Sequence, residues 1–241
     1  MKSTSFVSID FWNTIVIAET NGEKRAARRI DALKSLADTH NLTITDSQIR
    51  EAHAYASRKF DEIWLGKART PDSLELVGFT LDSLALSVSE TEQKELARVY
   101  EDSLLDGPPE LAPGVKETVE ALSKTYKLGI ISDTMFSPGR VLKDYLDTKG
   151  LGQFFTAFAF SNEVGVSKPH PDMYQKILTD TSTGREGSFH IGDIQPTDIQ
   201  GAQAFGIKGI LYTGISRTYE KDNTADFVSP DWDTIGSILL D

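Results

Sequence analysis

Five short apolar runs constrain this chain more than any other feature: FVSID (6–10), KLGIIS (127–132), TAFAF (156–160), SFHIG (188–192) and KGILY (208–212). Runs of this length without strict polar alternation suit strands buried on both faces of a parallel sheet. Helical patterns fill the gaps. Pro113-Gly114 opens VKETVEALSKTY and Ser137-Pro138 opens GRVLKDYLDTKG. Pro171 opens DMYQKILTD, and Thr197-Asp198 opens IQGAQAFG, which closes on Gly206. Alternating strands and helices of these lengths predict an α/β fold with a parallel sheet. Ligands in such folds bind beyond the carboxyl ends of the strands. Asp10, Ser132 and Asp193 all fall at such ends.

Residues 19–107 have a different texture, with no strand pattern. Helices are predicted over Lys24–His40, Asp46–Leu65 and Pro71–Leu86. A fourth starts at the capping box Ser89-Glu90-Thr91-Glu92 and runs to Leu105. Gly107-Pro108-Pro109 then breaks the chain. The organisation read from this is a core of 1–18 and 108–241, interrupted by a four-helix insertion at 19–107. An insertion at a strand's carboxyl end would act as a cap.

Composition removes several classes of function. The formal net charge is −11, so nucleic acid and anionic membranes are not expected as partners. An anionic substrate would need a local positive site from a metal, a lysine or backbone N–H groups. The chain has no cysteine, which excludes disulfide and thiolate chemistry and points to the cytoplasm. Met1–Ser5 carry no apolar stretch, so no signal peptide is expected, and no apolar run reaches the length of a membrane span.

Four short motifs occur in order at strand ends or helix starts: Asp10-Phe11-Trp12-Asn13-Thr14, Ser132-Asp133, Lys168-Pro169-His170-Pro171, and Gly192-Asp193 with Asp198 five residues on. This pattern resembles the haloacid dehalogenase-like (HAD) hydrolase superfamily over nearly the whole chain. The resemblance implies a Rossmann-like core with a helical cap, and an enzyme acting on a small phosphorylated molecule. Asp10 would be the nucleophile of a covalent aspartyl intermediate. Ser132, with Asp133 beside it, would bind a phosphoryl oxygen. Lys168 would neutralise nucleophile and phosphoryl charge together. Mg²⁺ would be held by Asp10, the backbone carbonyl of Trp12 and Asp193, with Asp198 a direct or outer partner and also a candidate N-cap. Thr14 would anchor the turn after Asp10 through its hydroxyl, or fill space. In the insertion, His53, Arg28, Arg29, Arg58 and Lys59 read as a polar face from which one residue is a candidate for contacting substrate. Phe60 and Trp64 read as cap core.

Trp12 departs from the phosphatase pattern. In HAD phosphatases the residue two after the nucleophile is normally an Asp that protonates the leaving oxygen. Loss of a general acid typically costs about 10²–10⁴ in rate. Three readings stay open. One is a Mg²⁺-dependent phosphatase or phosphotransferase whose leaving group needs no proton, or takes it from Asp133 or a cap residue. Another is a 2-haloacid dehalogenase, which carries an aromatic residue here, needs no metal, and usually has Ser and Asn in place of Gly192-Asp193. The third is a binding protein with little or no turnover. ISDTMFS and D-x-aromatic-x-T are further similar to a HAD branch of predicted hydrolases with largely unassigned substrates.

Overall fold

The computed structural model describes residues 5–240. Met1–Thr4, on which the expectation of no signal peptide mostly rests, and Asp241 lie outside the described residues. In chain order the elements are β1 (Ser5–Ile9), β2 (Val16–Ile17), α1 (Gly22–Thr39), α2 (Asp46–Lys67), α3 (Ser73–Ser83), α4 (Glu90–Asp106), β3 (Glu110–Leu111), α5 (Val115–Leu122), β4 (Lys127–Ser132), α6 (Gly139–Thr148), β5 (Phe155–Phe160), α7 (Ser161–Val164), α8 (Pro171–Thr181), β6 (Gly184–Gly192), α9 (Gln200–Phe205), β7 (Lys208–Tyr212), β8 (Phe227–Ser229) and α10 (Trp232–Leu240). They divide into two compact units. The sheet unit takes the chain up to Ala18, Glu110–Asp133 and the chain from Leu146 onward. The helical unit takes Glu19–Pro109 and Thr134–Tyr145.

Six strands form one parallel sheet in the order β5-β4-β1-β6-β7-β8. All five apolar runs are strands of this sheet. The interior of β1 is fully buried at Phe6, Val7, Ser8 and Ile9, as are Leu128, Ile130 and Ile131 of β4. Burying side chains of this size contributes about 1.5–3 kcal/mol each. The register pairs Ile9 with Ile130 on one side and with Ile191 on the other. The three strands therefore end together, and Asp10, Ser132 and Asp193 leave the sheet at one edge. From β1 the chain crosses to β4 on one side and later to β6 on the other, so the topological switch point lies at β1.

Helices cover this sheet. Met173, Tyr174 and Ile177 of α8 share a core with Phe6, Ile131 and Phe205. On α10, Trp232 is fully buried and its Nε1–H donates to the Thr14 carbonyl at 3.1 Å, tying the turn after Asp10 to the carboxyl-terminal helix. Three strands were not legible in the sequence. β2 and β3 form a two-residue antiparallel ribbon, Val16 with Leu111 and Ile17 with Glu110. β8 has three residues. Strands this short carry no periodicity to detect.

In the helical unit, α1–α4 pack around Ile30, Leu33, Ile49, Leu76, Leu96 and Tyr100. Thr45, Asp72 and Ser89 each close a capping box, which sets the starts of α2, α3 and α4. Met135 and Phe136, which follow β4 in a stretch that reads as loop, pack into this same core. Replacing Trp232 by Phe leaves the Thr14 carbonyl without its buried donor, and the expected cost is about 1–3 kcal/mol in urea unfolding.

Candidate active site

Asp10 follows β1 directly. Its backbone N–H donates to the Ile191 carbonyl at 2.8 Å, which extends the pairing with β6 and turns the carboxylate into the switch point. Lys168 meets it there. The ammonium donates to Asp10 Oδ1 at 2.5 Å, to Asp198 Oδ1 at 2.7 Å and to the Ile131 carbonyl at 3.4 Å. An ammonium has three donors, and all three are used. Lys168 is only 4% exposed and Asp10 5%. Burial pushes the Asp10 carboxyl well above the usual carboxylate range, and the Lys168 charge works against that push. Burial would favour neutral Lys168, but Asp10 and Asp198 outweigh it and hold the ammonium protonated.

Asp198 is fully buried behind this pair. Its Oδ1 accepts from Lys168 and contacts His190 Nε2 at 3.1 Å, and its Oδ2 accepts from the Ile194 N–H at 2.9 Å. Lys168 and His190 hold its carboxyl well below the ordinary value despite burial, so it stays ionised. It lies in a π-helical turn, Gln195–Ile199, just before α9, and does not cap that helix from outside. Gly192 makes room for it. A Cβ at Gly192 would stand 2.3 Å from Asp198 Cγ and 2.6 Å from its Cβ. The glycine of Gly192-Asp193 is thus a steric requirement of Asp198.

Three side chains in this network were not assigned a role from sequence. His190 is fully buried in β6, in register with Ser8 of β1, and its Nδ1 lies 2.9 Å from Ser8 Oγ. Because ionised Asp198 accepts, His190 Nε2–H donates to it and Nδ1 accepts from the Ser8 hydroxyl. Burial lowers the imidazole's pKa, which agrees with this neutral tautomer. The Tyr174 hydroxyl donates to the Thr197 carbonyl at 2.9 Å and lies 3.3 Å from that of Asp198, fixing the π-helical turn from below. The sequence did hold a signal. FVSID and SFHIG each carry one polar residue inside an apolar strand, and buried polar groups on paired strands need each other.

Asp193 completes the cluster. Carboxylate oxygens of Asp10, Asp193 and Asp198 lie within 4.8 Å of one another. Burial, with Asp198 beside it, pushes the Asp193 carboxyl up to about 7. With all three ionised, the carboxylates would outweigh the one ammonium beside a neutral imidazole, and burial resists that excess of negative charge by raising the Asp10 and Asp193 carboxyls. Hard oxygen donors around such a charge fit a divalent cation of the magnesium type. Since Asp198 already has three partners, Asp10 and Asp193 are the acids free to ligate.

The remaining predicted residues take these places. Ser132 is fully buried at the end of β4, and its hydroxyl lies 3.4 Å from the Asp133 carbonyl. Asp133 Oδ1 accepts from the Lys168 N–H at 3.0 Å, which anchors the Lys168 loop. Thr14 Oγ1 is buried without a hydrogen-bond partner among the described residues, so this side chain fills space while its carbonyl holds Trp232. Trp12 is half-buried, with its ring edge-on to Phe11 at 5.1 Å. His170 caps α8, accepting from the Asp172 N–H.

The sequence profile of haloacid dehalogenase-like hydrolases matches residues 41–212. The chain belongs to this family. As a HAD-like hydrolase it is 25% identical, over 75% of its length and 73% of the relative's, to the mouse haloacid dehalogenase-like hydrolase domain-containing protein 3. It is also 32% identical to a glyceraldehyde 3-phosphate phosphatase of Pyrococcus furiosus, over 42% of this chain and 41% of that one. Among solved structures, a 2-haloacid dehalogenase of Pseudomonas syringae shares the fold with a TM-score of 0.73, at 22% identity over 98% of each chain. A HAD-hydrolase of Bacillus subtilis bound to magnesium gives 0.68, at 17% identity over 100% of each chain.

A raised carboxyl pKa costs stability once the group ionises. In metal-free protein, Asp193 therefore lowers stability as pH rises from about 4, its unfolded value, to about 7. Asp193→Asn is expected to remove that fall and to raise the thermal midpoint at about pH 8 in chelator, measured by calorimetry.

Proposed function

We propose that this hydrolase is a magnesium-dependent phosphatase or phosphotransferase that works through an aspartyl-phosphate on Asp10, on a small phosphorylated molecule. The convergence of Asp10, Asp193 and Asp198 around Lys168 supports this reading. Asp10 Oδ1 is engaged by Lys168, and Oδ2 is the oxygen that attacks phosphorus. Lys168 works against the burial that disfavours ionised Asp10 and offsets charge on the phosphoryl group. The buried Ser132 hydroxyl donates to a phosphoryl oxygen. Asp133 acts at one remove, by holding Lys168. Asp10, Asp193 and the Trp12 carbonyl would hold Mg²⁺, with Asp198 orienting Lys168 from behind. Bound Mg²⁺ supplies positive charge to the phosphoryl oxygens. Residues 19–107 act as a cap domain that selects substrate.

Trp12 has no proton to give the leaving group. The favoured substrates are therefore acyl phosphates or phosphoanhydrides, whose leaving groups depart as anions. The same tryptophan supports a second reading, attack of Asp10 on the carbon of a 2-haloacid, since halide also needs no proton. The acidic cluster favours phosphorus, because a metal has no part in attack at that carbon.

A panel of acyl phosphates, phosphomonoesters and 2-haloacids, each with Mg²⁺ or EDTA, separates these readings. The expected outcome is acyl phosphate turnover that EDTA abolishes and Asp10→Asn eliminates. Halide release indifferent to EDTA would sink the phosphatase reading. Trp12→Asp is expected to raise phosphomonoester turnover about tenfold or more by restoring a general acid.

A further inference from the structure

Arg29 of α1 is half-buried, beside Phe136 and Tyr100 of the helical unit's core. Its guanidinium carbon lies 4.6 Å from the Phe136 ring centroid and 6.0 Å from that of Tyr100. Its Nε–H donates to Ser103 Oγ at 2.8 Å, and the Ser103 hydroxyl in turn donates to the Tyr100 carbonyl at 2.6 Å. No carboxylate pairs with Arg29 among the described residues. The contrast with its neighbours is sharp, because Arg28, Arg69, Arg98 and Arg140 each lie on an acid. Arg25, the buried arginine of α1, donates to the Thr20 and Gly107 carbonyls as a chain tie.

A guanidinium has five N–H donors in a planar fork. Nε–H is used, and neither terminal nitrogen of Arg29 has a partner among the described residues. His53 stands beside it on α2. Its Nε2 is 2.7 Å from the Tyr100 hydroxyl, and its ring lies edge-on to Tyr100 at 5.5 Å and to Phe136 at 6.5 Å. Tyr100 is fully buried, and burial keeps its phenol protonated, so its O–H is available to donate to His53 Nε2. In that tautomer the neutral ring carries its proton on Nδ1, which has no partner among the described residues. The fork of Arg29 and the Nδ1–H of His53 are spare donors on one patch walled by two aromatic rings. A desolvated cation without a counter-charge costs free energy in the fold. Burial lowers the Arg29 pKa to about 10, and lowers that of His53 to about 4.

We propose that Arg29 and His53, backed by Ser103, Tyr100 and Phe136, form an oxyanion-binding site within the helical unit that takes the carboxylate or phosphate group of a small molecule. The geometry favours a flat or tetrahedral anion gripped by the fork of Arg29, with His53 as the second donor and the rings excluding water. The site does not depend on the chemistry at Asp10 and goes beyond it.

The test follows the His53 imidazole resonances, assigned with His53→Gln, while metal-free protein is titrated with malonate or with inorganic phosphate. Saturable movement of the His53 signals is expected. The anion that saturates at lower concentration identifies the group. Arg29→Met should weaken that binding about tenfold or more, the loss expected for a charge-assisted hydrogen bond. The same substitution leaves the thermal midpoint unchanged or higher, because it replaces an uncompensated cation by an apolar side chain of similar length. Wild-type His53 signals that no oxyanion moves, or Arg29→Met titrating like wild type, would overturn the site. So would a large drop in midpoint in Arg29→Met, which would make Arg29 a packing residue. Chelated protein is used throughout, so failure here leaves the metal-dependent reading of Asp10 standing, and failure there leaves this one.

Discussion

The buried ammonium of Lys168 is the interaction on which the rest of the sheet unit depends. It makes three contacts at the switch point, to Asp10, Asp198 and the Ile131 carbonyl. Without it, the Asp198 carboxylate would stand against Asp10 away from water with no cation between them. Removing one member of a buried ion pair costs about 3–5 kcal/mol, because the partner's charge is stranded. The fold goes to some length to keep Lys168 in place. Asp133 holds its backbone from the end of β4, and Asp198 is itself fixed by His190, the Ile194 N–H and the cradle left by Gly192.

This network explains why polar residues occur inside the sheet. Ser8 and His190 face each other across β1 and β6, and their hydrogen bond carries the order of the strand register to Asp198. A slip of one residue between these strands would set the two side chains on different faces of the sheet and break the line from Ser8 to Lys168. The register thus fixes more than hydrophobic packing. It sets the tautomer of a histidine, and through it the orientation of the acid that steadies the lysine at Asp10.

Much of this was legible in the sequence, and the reasons are physical. The five strands were readable because strands buried on both faces need unbroken apolar runs. Asp10, Ser132 and Asp193 stood out because they interrupt such runs at their ends. The start of α4 was readable from Ser89, whose side chain bonds locally to the turn it begins. What escaped was set by contacts distant in sequence. The role of Asp133 depends on the Lys168 backbone, thirty-five positions away. Phe136 follows a sheet strand yet packs among α1–α4, and nothing in SDTMFSPG announces that. β2, β3 and β8 are too short to show a period. Asp198 was legible as an acid near the metal position, but not as one already saturated by three partners.

Trp12 marks where site and chemistry part company. The groups that hold and charge Asp10 are assembled, while the position two residues on offers an indole that transfers no proton. The proposed reactions differ in the atom that Asp10 would attack. A single turnover with an acyl phosphate and Mg²⁺ in heavy-oxygen water, followed by mass analysis of the peptide bearing Asp10, tests this most directly. Attack at phosphorus predicts a phosphoryl group on Asp10 at early times, and an Asp10 carboxylate free of heavy oxygen once turnover is complete. The label then resides in the released phosphate. Turnover without any adduct on Asp10, or heavy oxygen lodged in its carboxylate, would contradict the account.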